Sequence, residues 1–304
     1  MLLLSSPLYR YELAMCNLNR FTYHCFLPVL MLGITTGANA VEIKVGQSHS
    51  DLPLDQSGTL TSVTPSGTSF SLAHDFSESV RVSLDYINWE DTHFSRKANS
   101  LKIDSQSYAA TLTYFIENFA ISGNYTYWQS DYRESFLELP SSQHKTYAPS
   151  YGLSVGYGIF FDEWVIEPSL LVQYNEWRYR DIMIEQNEIA LALRDALEDE
   201  TLVVSGLLSA SKIIEIRPDT YLLAGGVIRW NELFQGDGTK QTDKFVSFAG
   251  RKSYPHNTDD DYAELSVFVT YDITPEWMVE LDSSIAFLPH DNVSSVSWRI
   301  GYRF

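Results

Sequence analysis

The chain ends in Val296-Ser297-Trp298-Arg299-Ile300-Gly301-Tyr302-Arg303-Phe304, in which an apolar or aromatic residue stands at every second position and a small or charged one between. A period of two is that of a strand with one apolar and one polar face. Working back along the chain, Trp277, Val279, Leu281, Ser283 and Ile285 follow the same rule, as do Ala263, Leu265, Val267, Val269 and Tyr271. So do Trp164, Ile166, Pro168, Leu170, Val172 and Tyr174, and before them Tyr151 to Ile159, Phe119 to Tyr127, Tyr108 to Tyr114 and Val80 to Tyr86. Weaker members run over 41–48, 68–76, 202–214 and 221–230, which makes twelve. The pair over 202–230 is partly apolar on both faces, so its orientation stays open.

Connections alternate as regularly as the residues. Tight turns are expected near 75–79, 115–118, 160–163, 216–220 and 273–276, and long loops near 49–65, 90–100, 129–146, 178–200, 231–260 and 287–294. Short turns on one rim, long loops on the other and an even strand number describe an all-β, closed, antiparallel up-and-down transmembrane barrel. A β-sandwich would leave edges that closure removes. Two aromatic girdles are expected, with Phe76, Phe115, Phe119, Phe160, Trp164, Tyr221, Trp277 and Phe304 at the turn rim and Trp89, Trp128, Tyr147, Trp177, Trp230 and Phe287 at the loop rim.

Composition agrees with an exported barrel and excludes other classes. A formal charge of -18 with no basic block repels nucleic acid. After residue 40 no stretch approaches the ~20 apolar residues of a spanning helix. Arg20, the apolar run 26–35 and Ala38-Asn39-Ala40 read as a secretory signal, so residues 1–40 are expected to be cleaved after Ala40, with Met15 a candidate true start. Cys16 and Cys25 fall inside it, leaving a barrel domain over 41–304 without disulfides or thiolate metal sites.

The C-terminal stretch resembles the terminal strand of bacterial outer-membrane proteins, and the twelve strands with the Gly-Tyr-Arg-Phe ending resemble the translocator barrel of autotransporters. The resemblance implies a Gram-negative outer membrane, with Trp298, Ile300, Tyr302 and Phe304 as the signal read by the barrel-assembly machinery. It also implies lipid, lipopolysaccharide and periplasmic chaperones as partners. Autotransporters carry a passenger and a pore helix before the first strand, whereas here strand pattern begins at the cleavage site, so a solitary barrel is expected.

On the face opposite the apolar one stand Glu42, Asp75, Asp85, Glu167, Glu264, Asp272, Glu280 and Asp282 against Lys44, Arg81, Arg299 and Arg303. Closure brings Glu42 and Lys44 to Arg299 and Arg303. Two readings stay open for these residues: a salt-bridge network that braces the lumen, or a small water-filled pore whose acid excess favours cations. A surface protein acting through its loops, on lipopolysaccharide, phage or other surfaces, is the alternative from another class, supported by Trp230, Phe234, Phe245, Phe248 and Tyr254 around the 231–260 loop.

No catalytic, cofactor or metal residues are expected. His49, His93, His144, His256 and His290 fall on expected loops without ligand spacing, and His74 in a strand lacks the serine a membrane-boundary hydrolase would need. Asp259-Asp260-Asp261, on the loop side before the tenth strand, reads as a solvated acidic triplet, with oxygen ligands for a hard divalent cation as the alternative. Only residues 185–198 shift to helical spacing, through Ile189, Ala192, Leu193, Ala196 and Leu197, which predicts a short amphipathic helix capping or plugging the mouth, with extended strand as the alternative.

Overall fold

The structure, a computed structural model, describes residues 16–18, 23–25, 40–56, 59–63, 66–94, 100–135, 141–186, 189–194, 197–235, 261–287 and 292–304. The barrel strands are β1 (Val41–Gln56), β2 (Ser66–Ser77), β3 (Val80–Phe94), β4 (Ser100–Ile116), β5 (Phe119–Ser135) and β6 (Ser141–Tyr157). They continue with β7 (Trp164–Gln186), β8 (Leu197–Arg217), β9 (Thr220–Gln235), β10 (Tyr262–Asp272), β11 (Trp277–Phe287) and β12 (Asn292–Arg303). Each pairs antiparallel with the next, and β12 returns to β1 with Arg303 opposite Glu42 and Ser294 opposite Asp51. The twelve-stranded sheet therefore closes on itself. Of the expected leader, Cys16–Leu18 and Tyr23–Cys25 are described as a short antiparallel pair, together with Ala40 next to β1, and the remainder lies outside the described residues.

The alternation places its apolar face outward. Val45, Leu84, Leu112, Leu153, Leu170, Val267, Leu281 and Val296 are exposed, while Glu42, Glu167, Arg229, Glu264, Glu280 and Arg299 are buried. A water-soluble protein inverts this distribution; a barrel in lipid requires it, because the closed ladder satisfies every backbone group and the outer surface meets hydrocarbon.

The expected tight turns are two-residue connections at 78–79, 117–118, 162–163 and 218–219, and a four-residue one at 273–276; the turn at 162–163 joins β7 to the short strand piece Ile159–Phe161 that follows β6 and pairs with the start of β7. Three hold a non-glycine residue in the left-handed region, with φ of 52° at Glu117, 51° at Asp162 and 62° at Asp219. Left-handed residues suit the twist of tight hairpins, and aspartate tolerates that region better than most side chains.

Strand lengths correct the expected loops. Strands β3 to β6 have 15 to 17 residues, β7 has 23 and β8 has 21, against 11 or 12 in β10 to β12. At about 3.3 Å per residue and about 40° tilt, 17 residues rise roughly 43 Å, well beyond an apolar band of about 25 Å. Since the other rim is held by tight turns, the excess stands on the loop side as a tall wall of sheet. Most of 49–65, 90–100, 129–146 and 178–200 is consequently paired strand, and His49, His93 and His144 lie in β1, β3 and β6. The described part of the predicted helix over 185–198 is also sheet: Ile189–Arg194 folds back on β7, pairing Gln186 with Ile189 and Ile182 with Arg194. Ladder hydrogen bonds from the neighbouring wall outweigh a weak helical period there.

The girdles need a correction as well. Phe76, Phe119, Phe160, Trp164, Trp277 and Phe304 are exposed on the turn rim, and Trp230 and Phe287 on the loop rim. Trp89 and Trp128 instead face the interior, buried with Ile87 and Ala148, and Tyr221 is buried beside Leu223. Phe115 is half-buried on the inward parity of β4, Tyr147 is half-buried, and the Trp177 side chain lies outside the described residues.

Candidate functional site

The closure register builds the principal charged site. Inward positions of β1 are Glu42, Lys44 and Gly46; those of β12 are Arg299, Gly301 and Arg303; those of β11 are Glu280 and Asp282. Lys44 Nζ contacts Glu42 and lies 2.7 Å from Glu280 Oε1, and Arg299 Nε lies 3.0 Å from Glu280 Oε2. Arg299 Nη2 stands 3.7 Å from Asp282, which also accepts from the Ser297 hydroxyl. Further down, Arg303 Nε donates to Glu42 at 3.3 Å and Nη1 to Asp272 at 3.0 Å. Asp272 also accepts from the Tyr221 backbone N–H at 3.3 Å. One connected network of four carboxylates and three cations thus joins β1 to β9 through β10, β11 and β12.

Glycine makes the arrangement possible at two points. A Cβ on Gly46 would collide with the Trp298 carbonyl and the Arg299 side chain, so the guanidinium owes its place to a bare backbone. A Cβ on Gly301 would stand 2.8 Å from Met278 Cγ and 3.1 Å from Lys44 Cγ. Breaking one partner out of such a buried set is expensive, because it strands a charge away from water.

The other inward charges form smaller groups. Arg81 Nη1 pairs with Asp75 at 3.2 Å, and Asp85 accepts from Ser71. Arg229 Nη1 stands 3.6 Å from Glu264 Oε2, and its Nη2 donates to Ser205 at 3.0 Å. Arg229 was not expected, since its strand is apolar on both faces; the exposed Trp230 beside it carried the signal that residue 229 points inward. Glu167 is buried on β7, and neither carboxylate oxygen has a hydrogen-bond partner. All the interior charges read from the sequence lie on the inward face, but they fall into separate groups rather than one ring.

The interior is also two-sided. Leu171, Leu207, Tyr221, Leu223, Val227 and Phe268 form a buried apolar cluster on β7 to β10, which adjoins the ionic seam where the Tyr221 N–H reaches Asp272 and Phe268 stands opposite Asp282. Among the described residues no group of three His, Cys, Asp or Glu is placed to hold a metal ion. His74 Nδ1 lies 3.2 Å from the Ala40 carbonyl, and its ring packs against Phe76 at 4.4 Å. Asp261 is exposed just before β10, while Asp259, Asp260, His256 and His290 lie outside the described residues.

The profile of the autotransporter β-domain matches residues 86–284. The chain belongs to the autotransporter β-domain family. Solved relatives share its fold: the translocator domain of autotransporter NalP from Neisseria meningitidis has a TM-score of 0.66 at 13% identity, covering 90% of this chain and 91% of that one. The β domain of the Bordetella autotransporter BrkA gives 0.56 at 13% identity over 88% and 99%, and the transport unit of AIDA-I from Escherichia coli 0.52 at 13% over 91% and 93%. No curated protein matches the chain by sequence. This autotransporter-type barrel is an integral protein of the Gram-negative outer membrane.

Proposed function

We propose that this autotransporter-type barrel is a non-enzymatic passage for small solutes with a preference for cations. The observation that carries the reading is the acid excess of the interior: four carboxylates meet three cations at the seam, Asp85 adds a further acid facing Arg299 and Lys44, and Glu167 has no ion-pair partner among the described residues. An interior of one net sign concentrates ions of the other. The mature chain is expected to start at Val41 after removal of a secretory signal, which N-terminal sequencing of outer-membrane protein would read directly.

The test is conductance of the refolded chain in a planar bilayer under a salt gradient. Discrete steps with a reversal potential toward the cation value support the passage. Folded, heat-modifiable protein without steps would end it.

A second reading has its own support. The wall formed by β3 to β8 stands above the apolar band, where it can meet lipopolysaccharide or other cell-surface partners. Removing residues 236–256 should leave conductance in place but abolish surface binding if that connection acts together with the wall.

A further inference from the structure

The apolar outer face does not end at one height around the barrel. On β3, β4 and β5 the outward row Tyr86, Tyr108 and Tyr127 is followed, one outward position higher, by Asn88, Gln106 and Gln129, and then by Glu90, Asp104 and Asp131. Gln106 stands about 25 Å above Ile116 at the turn rim, so polar surface begins there where the apolar band should end. On β8 and β9 the apolar face continues instead. Beyond the Trp230–Gly206 pair come half-buried Val204 and Leu202, and then Phe234, which is 60% exposed and roughly 35 Å above Thr220.

Phe234 owes its place to a bulge. Leu202 pairs with Gln235 and Val203 with Leu233, so Phe234 is the extra residue of β9, and a bulge re-aims the side chain it carries. β10 begins at Tyr262, opposite Asn231, so among the described residues the β9 backbone over 232–235 has a neighbour only on the β8 side. The ring therefore points outward at the edge of the wall, about 10 Å above the hydrocarbon, where lipid tails do not cover it.

Charge decides what fits this patch. Glu232 is the cross-strand partner of Val204, Glu200 stands one outward position above Leu202, and both are exposed. Glu176 of β7 lies opposite Glu200. The base nearest in register, Arg178, stands opposite Glu198, so the rim keeps an acid excess. Such a rim repels lipopolysaccharide phosphates and repels a second copy of a chain with a formal charge of -18. It attracts a polypeptide whose apolar tip is flanked by lysine or arginine.

We propose that Phe234, Leu202 and Val204, with Glu200 and Glu232 beside them, form a docking patch on the outer face of the wall for a basic polypeptide segment with an apolar tip. The tip covers the Phe234 ring and its flanking bases meet the two carboxylates. The inference rests on the second reading above, in which the wall meets a cell-surface partner, and it names the chemistry of that partner.

The experiment is a fluorescence-anisotropy titration of the labelled peptide Lys-Lys-Leu-Leu-Lys-Lys with the refolded, heat-modifiable chain in phosphatidylcholine vesicles, whose neutral surface does not gather the peptide. Lys-Lys-Ser-Ser-Lys-Lys and Glu-Glu-Leu-Leu-Glu-Glu are the comparison peptides. Saturable binding of the first alone is expected, weakened about tenfold or more by Phe234→Ser, an exposed change that leaves the ladder intact. Glu200→Gln with Glu232→Gln should weaken it about threefold or more. Glu90→Gln with Asp104→Asn removes the same charge from another part of the wall and should leave binding unchanged. Equal weakening by the two charge pairs would trace binding to the overall charge and overturn the patch. So would no saturable binding to the unaltered chain, which would leave Phe234 facing lipid, and so would binding that appears only after removal of residues 236–256, which would make the chain's own connection the occupant. The second reading is checked separately by attachment of whole cells: attachment lost while peptide binding persists ends that reading alone, and the converse ends the patch alone.

Discussion

Lys44 reaches across an entire strand: its Nζ lies 2.7 Å from Glu280 Oε1, with Lys44 on β1, Glu280 on β11 and β12 between them. Gly301 of β12 sits opposite Lys44 and opposite Met278, and its missing side chain opens the gap that the lysine crosses. The closing seam is therefore held by its backbone ladder and by an ion pair that bridges over it.

Gly301→Val should close that gap. The added methyl groups would push Lys44 and Met278 apart, at a cost of about 1–3 kcal/mol typical of overpacking. Gly123 is the control, since a Cβ there meets nothing within 4 Å on the outer face. Urea unfolding of refolded protein should show a lowered midpoint for Gly301→Val and an unchanged one for Gly123→Val; equal midpoints would argue against the bridge.

Arg299 compensates both Glu280 and Asp282 from a buried position. Arg299→Met leaves those carboxylates short of a cation and should destabilise the barrel by about 3–5 kcal/mol. Adding Glu280→Gln and Asp282→Asn should restore much of the loss, because the stranded charges are gone. A triple variant as unstable as the single one would mean that Arg299 acts through packing alone.

The two loop-side tryptophan environments predict different costs. Trp89 and Trp128 are 2% and 4% exposed inside the barrel, whereas Trp230 is 54% exposed on the outer face. Trp89→Ala or Trp128→Ala should cost about 3–5 kcal/mol as cavity-forming changes. Trp230→Ala should cost clearly less in detergent, where its outer contacts are replaced by the micelle. The same ordering should appear in fluorescence quenching, with Trp230 quenched first by a lipid-soluble quencher.

Phe304 separates assembly from stability. It is 71% exposed, packs against Tyr302 at a centroid distance of 4.7 Å and donates its backbone N–H to the Val41 carbonyl at 2.9 Å, a bond that any residue can make. Phe304→Ala should therefore unfold near the parent midpoint after refolding in vitro, yet accumulate several-fold less in the outer membrane of cells. Normal cellular levels would remove the terminal residue from the assembly signal.

Trp89 shows how much the interior was already legible. Val80, Val82, Leu84 and Tyr86 set the outward parity of β3, and the same count puts residue 89 inside, where it overrides the girdle position that an aromatic near a strand end suggests. Trp128 follows from Tyr125 and Tyr127 in the same way. Arg229 was less accessible, because Leu222, Leu223, Val227 and Ile228 give β9 no polar face to count from.

By itself the sequence determined the barrel: a period of two repeated twelve times, tight turns alternating with long connections, and closure of Phe304 against Val41 follow from local chemistry and strand parity. It also determined which way Glu42, Lys44, Glu167, Glu280 and Arg299 point. Closure already brought Glu42 to Arg303, but tertiary structure decided the rest of the pairing, such as Lys44 to Glu280, because it depends on register across the seam and on gaps such as Gly46 and Gly301 that only a neighbouring strand can fill. It likewise decided that 189–194 is strand rather than helix, and that Glu167 stands without a partner. In each case the deciding energy comes from residues far apart in the chain, through ladder hydrogen bonds, ion pairing and desolvation, and no local period records them.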